Sequence, residues 1–483
     1  MTLSCLEFRL AARIGAYALA CVAAVGMPES LDAQATPIQR ARVDSIFARF
    51  TTAATPGCVV GADLNGTAVL RAAYGLADVE RNVPMRTGTL VEIGSVSKQF
   101  VAASLVLLEQ DGALDLDDPV SKYLPEFPDF RDLGGPVTIR HLLQHTSGVR
   151  DQYELLALVG RPYGAVAHTN AEVLELVSRQ RALNFPVNTR YLYSNSGYTV
   201  AALLVEKVSG KTMQAFTSER IFAPLGMSSA QWRMDFRTII PGRAFAYRFS
   251  PVGWQQDYPF SNLYGAGGLI LTVDDMLRWT AALHGGRVGN GTTLATMAAP
   301  ATLRDGARTE YGLGLMVREW RGVREIAHSG STAGYRAYLA HYPDAGLSIA
   351  MQCNAGNADY VELGRKVAAA FLADRLAPEQ PRPQVQPPRR VNIALDDATR
   401  VALTGRWHDA ETDATLLVES WDRGVTLRIP YSPIVSFVAL SPDSLQAGGE
   451  RAMGIERDAA GRVTALRYHN GRVLNIRLTK VTP

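Results

Sequence analysis

A serine and a lysine stand three positions apart in the segment EIGSVSKQF (92–100), just before an apolar stretch. Residues at this spacing share one face of a helix, so Lys98 can lie beside the hydroxyl of Ser95. Serine is a poor nucleophile until a neighbouring group takes its proton. The pair is either a helix cap next to a solvated lysine or an activated nucleophile with its proton partner. Taken alone, the two residues favour the cap.

Two further motifs change that balance. YLYSNSGY (191–198) contains Tyr193 and Asn195, and IAHSGSTAGY (326–335) contains His328 and Gly330. A phenol near a lysine ammonium ionises more easily than one in water, so Tyr193 is a candidate base. The H-x-G segment lies in strand-like sequence, where a strand edge can hold a substrate and supply a backbone donor. Because S-x-x-K, Y-x-N and H-x-G occur in this order, the set favours a nucleophilic serine.

Other chemistries find little support in the sequence. No G-x-S-x-G nucleophile elbow occurs. The pair His141 and His145 in HLLQH lacks the glutamate of H-E-x-x-H, so we predict two structural histidines. We expect neither a metal ion nor a cofactor. The net charge of +3, without a basic run interleaved with aromatic residues, argues against a nucleic-acid partner.

Residues 1–35 are predicted to be a secretory signal peptide. Arg9 and Arg13 precede a short apolar stretch, and residues 33–35 form an A-x-A cleavage site. We therefore expect an exported protein, periplasmic or secreted, with no transmembrane anchor in the mature chain. Lipoprotein attachment at Cys21 is not expected, because Ala18 stands where such sites usually carry a larger apolar residue.

The chain of 483 residues, 47% hydrophobic, is long enough for more than one domain. Residues 36–377 alternate helical patterns with short strand-like runs, which predicts one mixed sheet closing around a helical insert. Predicted helices fall near 40–50, 95–112, 170–180, 196–210, 272–286 and 360–376. A proline-rich linker (378–394) precedes a small all-β domain (395–483), a barrel or curved sheet with a hairpin turn at Asn470-Gly471. Such a linker predicts that a chain ending near Ala377 folds by itself.

The ordered motifs resemble the serine β-lactamase and penicillin-binding-protein-like hydrolases, in particular the class C branch with its D-aminopeptidases and esterases. VTIRHLLQHTSGV (137–149), YGAGGLILTVDDMLRW (264–279) and YGLGL (311–315) add to the resemblance, which covers about residues 40–375. It implies an α/β fold of mixed type, with an antiparallel sheet flanked by helices and a helical subdomain. A looser similarity beginning at LTGRW (403–407) implies a lipocalin-like β domain.

The resemblance also implies roles for individual residues. Ser95 is expected to be the acylated nucleophile and Lys98 its proton partner. Tyr193 is expected to be the base in acylation and to activate water in deacylation. Asn195 is expected to orient Lys98 and to bind the substrate amide.

Further implied roles concern the third motif and the two cysteines beyond the signal peptide. The backbone N–H groups of Ser95 and Ser331 are expected to form an oxyanion hole. Gly330 is expected to let the substrate backbone lie close to the strand. Cys58 and Cys353 fall on strands that are antiparallel neighbours in this family. We expect two buried thiols there, with a disulfide as the alternative in an oxidising compartment.

The chain departs from the lactamase pattern at His328, where lactamases and transpeptidases usually carry the lysine of K-T-G. A largely neutral histidine binds a carboxylate less well, and H-x-G resembles the D-aminopeptidase and esterase members. With an ordinary pKa of about 6.5, His328 is expected to favour carboxylate-bearing substrates only as pH falls toward 6. We therefore expect hydrolysis of small esters or of peptides and amides with D-residues. The alternatives are a β-lactamase or D,D-carboxypeptidase and, in another class, a catalytically silent cell-wall or peptide-binding protein.

Overall fold

The computed structural model describes residues 34–51, 54–380, 392–421 and 423–481. The predicted signal peptide lies outside these ranges except for its last two residues, and so does most of the predicted linker (381–391). Within the described ranges, the helices are too short or too polar to cross a membrane.

Several of the helices begin after a threonine whose side chain accepts a hydrogen bond from the first turn, namely Thr36, Thr138, Thr169, Thr212 and Thr272. The long helices agree with the sequence pattern, and the short ones had no clear periodicity. The α-helices of the described residues are α1 (Pro37–Phe47), α2 (Lys98–Gln110), α3 (Ile139–Leu143), α4 (Gln152–Leu158), α5 (Asn170–Ser178), α6 (Asn195–Ser209), α7 (Met213–Thr217), α8 (Val273–His284), α9 (Thr293–Met297), α10 (Tyr360–Phe371) and α11 (Asp397–Leu403).

One six-stranded sheet supports the first domain, with strands 316–320, 323–332, 335–342, 347–353, 58–64 and 67–74 side by side in that order. Its five pairings are all antiparallel, as the family resemblance implies, and not mixed as the order of elements had predicted. The strands of this part are β1 (Cys58–Leu64), β2 (Thr67–Tyr74), β3 (Leu76–Asp78), β4 (Val83–Pro84), β5 (Val91–Glu92), β6 (Gln231–Trp232), β7 (Tyr247–Ser250), β8 (Gly253–Gln256), β9 (Leu269–Leu271), β10 (Met316–Trp320), β11 (Val323–Thr332), β12 (Tyr335–Tyr342) and β13 (Leu347–Cys353).

Both faces of the sheet are buried, and alternate residues of the central strands face opposite cores. Val59 of β1 and Ala350 of β13 join the hydrophobic cluster that contains helices α2, α6 and α8. Val60 and Ile349 join the cluster that contains α1 and α10. This alternation follows from the two-residue period of a strand and gives near-continuous apolar sequence when both faces are covered. Helix α2, which carries Lys98, is therefore held inside the core.

Cys58 and Cys353 form a disulfide, so the expectation of two free thiols was wrong. The first residue of β1 and the last of β13 are direct cross-strand partners, with Cα atoms 4.0 Å apart. Both residues are fully buried. The sequence alone could not fix this register, which brings together two cysteines separated by 295 positions.

Loss of this disulfide should destabilise the protein without touching the candidate site. In the double variant Cys58→Ala/Cys353→Ala we expect the free energy of unfolding to fall by about 2–5 kcal/mol, because the crosslink restricts the unfolded chain. Urea unfolding with and without reductant measures the change. Reductant should lower the midpoint of the wild type and leave that of the double variant unchanged. A wild-type midpoint unaffected by reductant, with the thiols shown to be free, would contradict the assignment.

The C-terminal domain is a closed barrel of antiparallel strands, which confirms the predicted small β domain. Apolar side chains fill its interior, among them Trp407, Phe437 and Ile476. The hairpin predicted at Asn470-Gly471 is present, and its two-residue turn consists of Gly471 and Arg472. The barrel strands are β14 (Gly405–Asp409), β15 (Ala414–Trp421), β16 (Gly424–Arg428), β17 (Val435–Ser441), β18 (Ser444–Gln446), β19 (Arg451–Arg457), β20 (Val463–Asn470) and β21 (Val473–Lys480).

The barrel shares a hydrophobic cluster with the first domain. Leu155, Leu156 and Leu158 of α4 and Leu176 of α5 belong to the same cluster as the barrel interior. The domain boundary near Ala377 stays a prediction. The structure adds that a chain ending there would leave these leucines without their apolar partners.

Candidate active site

Ser95 lies in a short 3₁₀ turn, Gly94–Ser97, directly before α2. Residues 91–100 are otherwise buried, and Ser95 alone among them is partly exposed. Its hydroxyl does not cap the helix, since Ser97 occupies the N-cap position and makes no side-chain cap bond. Lys98 is completely buried. The alternative of a cap beside a solvated lysine is therefore excluded.

Lys98 makes three short polar contacts from inside the core. Its Nζ lies 3.0 Å from the Oγ of Ser95, and it donates to the Oδ1 of Asn195 at 2.9 Å and to the carbonyl oxygen of Ala266 at 2.6 Å. Burial lowers the pKa of Lys98 well below its usual value, the nearby Asp151 opposes this shift, and Arg472 adds to it. An amine with a lowered pKa, in contact with a serine hydroxyl, can accept the serine proton.

Asn195 and Asp151 hold the lysine in place. Helix α6 begins at Asn195, whose Oδ1 faces Lys98 and whose Nδ2 donates to the Oδ2 of Asp151 at 2.9 Å. The backbone N–H of Asn195 donates to the same oxygen at 2.6 Å. These bonds fix the orientation of the amide that contacts Lys98, and the role in substrate binding implied for Asn195 stays a prediction. Asp151 is fully buried. Sequence reasoning did not identify Asp151, because it lies outside the three motifs and 44 positions before Asn195.

The Tyr193 side chain stands over the Lys98 amine and beside Ser95. Lys98 Nζ lies 4.9 Å from the centre of the Tyr193 ring. Burial raises the pKa of Tyr193 well above its usual value, although a hydrogen bond with Ser95 lowers it in part. The expectation that this phenol ionises readily is therefore not supported. His145 packs against the ring at 4.1 Å and accepts a hydrogen bond from the backbone N–H of Ser194 at 3.1 Å. These contacts of His145 help to hold the Tyr193 ring in place.

Gly330 serves a different purpose from the one predicted. A Cβ at this position would lie 1.9 Å from the carbonyl oxygen of Ile93 and 3.1 Å from the backbone nitrogen of Ser95. The glycine thus allows the turn of the nucleophile, and not a substrate, to pack against β11. Gly94, which belongs to the turn, also lies close to this strand, since a Cβ there would lie 2.7 Å from the nitrogen of Ser331. These close approaches bring the backbone nitrogens of Ser95 and Ser331 to one region, as an oxyanion hole requires.

The candidate residues line a cleft of about 560 Å³. Ser95, Asn195, His328 and Ser331 contribute to its wall. Much of the remaining wall is aromatic, from Tyr153, Tyr163, Tyr191, Tyr193, Tyr311 and Tyr360. Arg472, from the barrel, also lines it, and sequence reasoning missed this residue. In the portions of the chain that the structure describes, no group of three or more His, Cys, Asp or Glu side chains is arranged to bind a metal.

Comparison with known proteins shows the family of the chain. A family model described as Beta-lactamase matches residues 43–372, more than half of the chain. The chain belongs to this family. The resemblance seen in the motifs and the implied fold are thereby confirmed, and the protein is a serine hydrolase related to the β-lactamases.

Relatives within the Beta-lactamase family include several D-aminopeptidases. The chain is 31% identical over 377 residues to one from Brucella anthropi, covering 76% of this chain and 66% of that protein. It is 29% identical over 408 residues to one from Cereibacter sphaeroides (strain ATCC 17023), covering 84% and 71%. The chain thus spans about two thirds of the length of these relatives.

Solved structures of two proteins share the fold. One is an octameric penicillin-binding protein homologue from Pyrococcus abyssi, with a TM-score of 0.62, 22% identity and coverage of 92% of this chain and 99% of that one. The other is the D-amino acid amidase from Ochrobactrum anthropi SV3 in complex with D-phenylalanine, with a TM-score of 0.59, 24% identity and coverage of 70% and 99%. At these identities the likeness shows the fold alone.

His328 is where this chain departs from the K-T-G pattern of the Beta-lactamase family, and its side chain is fixed by two hydrogen bonds. Its Nδ1 lies 2.7 Å from the carbonyl oxygen of Ser329, so this nitrogen carries the proton. Its Nε2 accepts from the Tyr311 hydroxyl at 2.8 Å. Burial, together with the neighbouring Lys98 amine, lowers the pKa of His328 to about 3. The prediction that it becomes charged near pH 6 was therefore wrong.

Because His328 is neutral, we expect the preference between carboxylate-bearing and neutral substrates not to depend on pH. The ratio of kcat/KM for a carboxylate-bearing substrate to that for its neutral analogue should stay constant from pH 6 to 8, because His328 does not titrate in this range. His328→Gln keeps a neutral hydrogen-bonding side chain and should show the same flat ratio. Parallel pH profiles of the two substrates provide the measurement. A ratio that rises toward pH 6 in the wild type but not in His328→Gln would contradict the assignment.

Proposed function

We propose that this protein hydrolyses amide bonds of D-residue peptides or amides, and small esters, through an acyl intermediate on Ser95. The observation that carries the proposal is the 3.0 Å contact between the Ser95 hydroxyl and the fully buried amine of Lys98. The family membership and the relatives named D-aminopeptidase support the substrate class.

In the acylation step, the Oγ of Ser95 attacks the substrate carbonyl carbon and its proton passes to the neutral amine of Lys98. The oxyanion is stabilised by the backbone N–H groups of Ser95 and Ser331, each such donor contributing about 3 kcal/mol in other hydrolases. The protonated phenol of Tyr193, hydrogen-bonded to Ser95, then donates its proton to the leaving nitrogen or oxygen. The C–N or C–O bond breaks, which leaves acyl-Ser95, a Lys98 ammonium and a Tyr193 phenolate.

Deacylation reverses these proton transfers with water in place of the leaving group. The Tyr193 phenolate, stabilised by the Lys98 ammonium near its ring, takes a proton from water. The hydroxide attacks the acyl carbon, and the bond to Ser95 breaks as Lys98 returns its proton to the serine oxygen. Lys98 thus replaces Tyr193 as the base of acylation, because burial favours the neutral forms of both groups.

The structure bears on the two alternatives. A neutral His328 cannot provide the fixed positive charge of the K-T-G lysine, which argues against a dedicated β-lactamase. A silent binding protein has no need of a buried amine next to an accessible serine. Burying Lys98 costs free energy because a charged ammonium loses its hydration. This burial serves a hydrolase that uses the neutral amine as a base.

A panel of substrates tests the proposal. It contains a p-nitrophenyl ester, D-alanine and L-alanine p-nitroanilides, and nitrocefin, each assayed with the wild type. We expect turnover of the ester and of the D-anilide, with the L-anilide at least about 10-fold slower and nitrocefin slower still. Hydrolysis of nitrocefin alone would favour a β-lactamase. No turnover of the panel, together with no serine adduct from a fluorophosphonate, would favour the binding protein.

We also propose that the mature protein is exported. The pattern of residues 1–35 supports this, and so does the Cys58–Cys353 disulfide, because such bonds persist in oxidising compartments. Intact mass of protein recovered from the periplasm or medium should correspond to a chain that begins at residue 36. A cytoplasmic protein that retains residues 1–35 would contradict this proposal.

A further inference from the structure

Two neighbours of the Lys98 amine can only accept a hydrogen bond from it. One is the carbonyl oxygen of Ala266, at 2.6 Å. The other is the Oδ1 of Asn195, at 2.9 Å, since the Nδ2 of the same amide donates to the Asp151 carboxylate. A neutral amine has two N–H groups and one lone pair. With both N–H groups taken by these oxygens, the lone pair is left for the Ser95 hydroxyl at 3.0 Å.

The position of the Ala266 carbonyl therefore affects how well Lys98 serves as a base. Without this acceptor, the amine is free to rotate about its Cε–Nζ bond and to turn an N–H toward the Ser95 oxygen. An N–H in that place cannot take the serine proton, so the nucleophile is not activated. What must hold the backbone of Ala266 in place is thus a question about catalysis.

Ala266 lies in a loop, residues 263–268, that leads into β9. These residues form neither helix nor strand, so no ladder of backbone hydrogen bonds fixes them. The loop lies against α6, because a Cβ at Gly265 would be 2.6 Å from the Cβ of Ala202. Close packing limits the loop on this side, and side-chain hydrogen bonds must supply the rest.

Asn170 supplies them by a reciprocal pair of bonds with one loop residue. Its Nδ2 donates to the carbonyl oxygen of Tyr264 at 3.1 Å, and its Oδ1 accepts from the backbone N–H of Tyr264 at 3.1 Å. Asn170 is the first residue of α5 and only 3% exposed. The Tyr264 hydroxyl adds a further bond, to Glu206 Oε2 on α6 at 2.9 Å. The peptide groups just before Ala266 are thereby fixed.

We propose that Asn170 is a positioning residue of the active site. Through Tyr264 it keeps the carbonyl of Ala266 on the Lys98 amine, and so keeps the lone pair of that amine on Ser95. Among the described residues that line the cleft, neither Asn170 nor Tyr264 is found, so a contact with substrate does not account for them. This inference rests on the proposed acyl-serine function.

Labelling of Ser95 by a fluorophosphonate tests the inference in the full-length protein without any choice of substrate. The Oγ of Ser95 attacks phosphorus, fluoride leaves, and the serine proton passes to Lys98. The second-order rate constant of labelling, followed by intact mass from pH 5 to 10, therefore reports on the base. A misfolded fraction lowers the labelled yield and leaves this rate constant unchanged.

The variants are Asn170→Ala and the milder Asn170→Ser, whose hydroxyl can keep at most one of the two bonds. Asn170→Ser guards against loss of the fold. Asn354→Ala is the control for stability. Asn354 is fully buried, and its Nδ2 likewise donates to backbone carbonyl oxygens, those of Leu76, Ala77 and Phe245.

For Asn170→Ala we expect the plateau of the labelling rate to fall about 10- to 100-fold, because a displacement of about 1 Å at a reacting group has effects of this size. The acid limb should also move to lower pH by about one unit, since the Lys98 ammonium loses a charge-assisted bond to Ala266 and its pKa falls further. Asn170→Ser should lie between this variant and the wild type. Asn354→Ala should lose stability and keep the wild-type plateau and limb.

The direction of the limb is set by the hydrogen bond to Ala266, because the substitutions leave the titratable groups around the amine unchanged. These groups are Asp151, His145, Tyr193, Tyr198, His328 and Arg472.

Two results would overturn the inference alone. The first is a wild-type rate and limb in both Asn170 variants. The second is a lower plateau with an unmoved limb, matched by Asn354→Ala, which would show that Asn170 acts only through stability. Failure of the proposed function has a different signature. A wild type that is not labelled on Ser95 at any pH would overturn the acyl-serine mechanism, and this inference with it.

Discussion

Replacing Ser95 with alanine is expected to reduce turnover of every ester and amide substrate by at least about 10³-fold. The reason is that the acyl intermediate is proposed to form on the Ser95 hydroxyl, which contacts the amine of Lys98. The protein should remain folded, because the Ser95 hydroxyl caps no helix and stands partly exposed. Steady-state kinetics on the best p-nitrophenyl ester, with thermal unfolding of the same sample, measure both effects.

Ser104→Ala is the matched control for that variant. Ser104 lies on α2 and its hydroxyl donates only to the carbonyl oxygen of Phe100 at 2.7 Å. We expect near-normal activity and a small loss of stability. Activity of Ser95→Ala above a few per cent of the wild type would remove Ser95 from the mechanism.

Replacing Lys98 with methionine is expected to lower kcat/KM by about 10²–10⁴-fold, the usual contribution of a positioned base. In the wild type, kcat/KM should fall as pH drops through the lowered pKa of Lys98, because the protonated amine cannot accept the serine proton. The residual activity of Lys98→Met should lack this dependence. Profiles from pH 5 to 10 measure it. A wild-type profile without such a limb, or near-normal activity of Lys98→Met, would contradict the role of the lysine.

Stability provides an independent readout for the same variant. Burial depresses the folded-state pKa of Lys98 below its unfolded value, so the unfolded chain binds the extra proton at any pH between these two values. The resulting cost to stability is complete below the folded-state pKa and vanishes as pH rises through the unfolded value of about 10.4. Lys98→Met should therefore be as stable as the wild type at pH 7, or more so. Lys207→Met, at an exposed position of α6, is the control and should change neither property.

Much of the candidate site could be predicted because its residues belong to short motifs at the start of helices. Ser95 and Lys98 share one turn, and Tyr193 and Asn195 flank the N-terminus of α6. Spacing along one helix fixes the relative direction of such side chains, whatever the rest of the fold is. The barrel could be predicted for a similar reason, since alternating apolar residues and turn-favouring residues such as Asn470 and Gly471 indicate hairpins locally.

The remaining features depend on long-range packing that spacing does not encode. Asp151 meets Asn195 across 44 positions, and Arg472 meets Asp151 across the boundary between the two domains. The family resemblance implies that Gly330 leaves room for a substrate backbone, whereas the turn that carries Ser95 occupies that space. The pKa of His328 depends on the burial that those contacts create, so its ordinary value was misleading.

The acyl intermediate on Ser95 can be observed in the mass of the enzyme during turnover. Protein mixed with a p-nitrophenyl ester is quenched in acid within the first turnovers, and its intact mass and peptide map are recorded. We predict one acyl group per chain, on the peptide that contains Ser95, absent from Ser95→Ala and lost as the substrate is consumed. An acyl group on another residue, or full turnover by a wild type that is never acylated, would contradict the account.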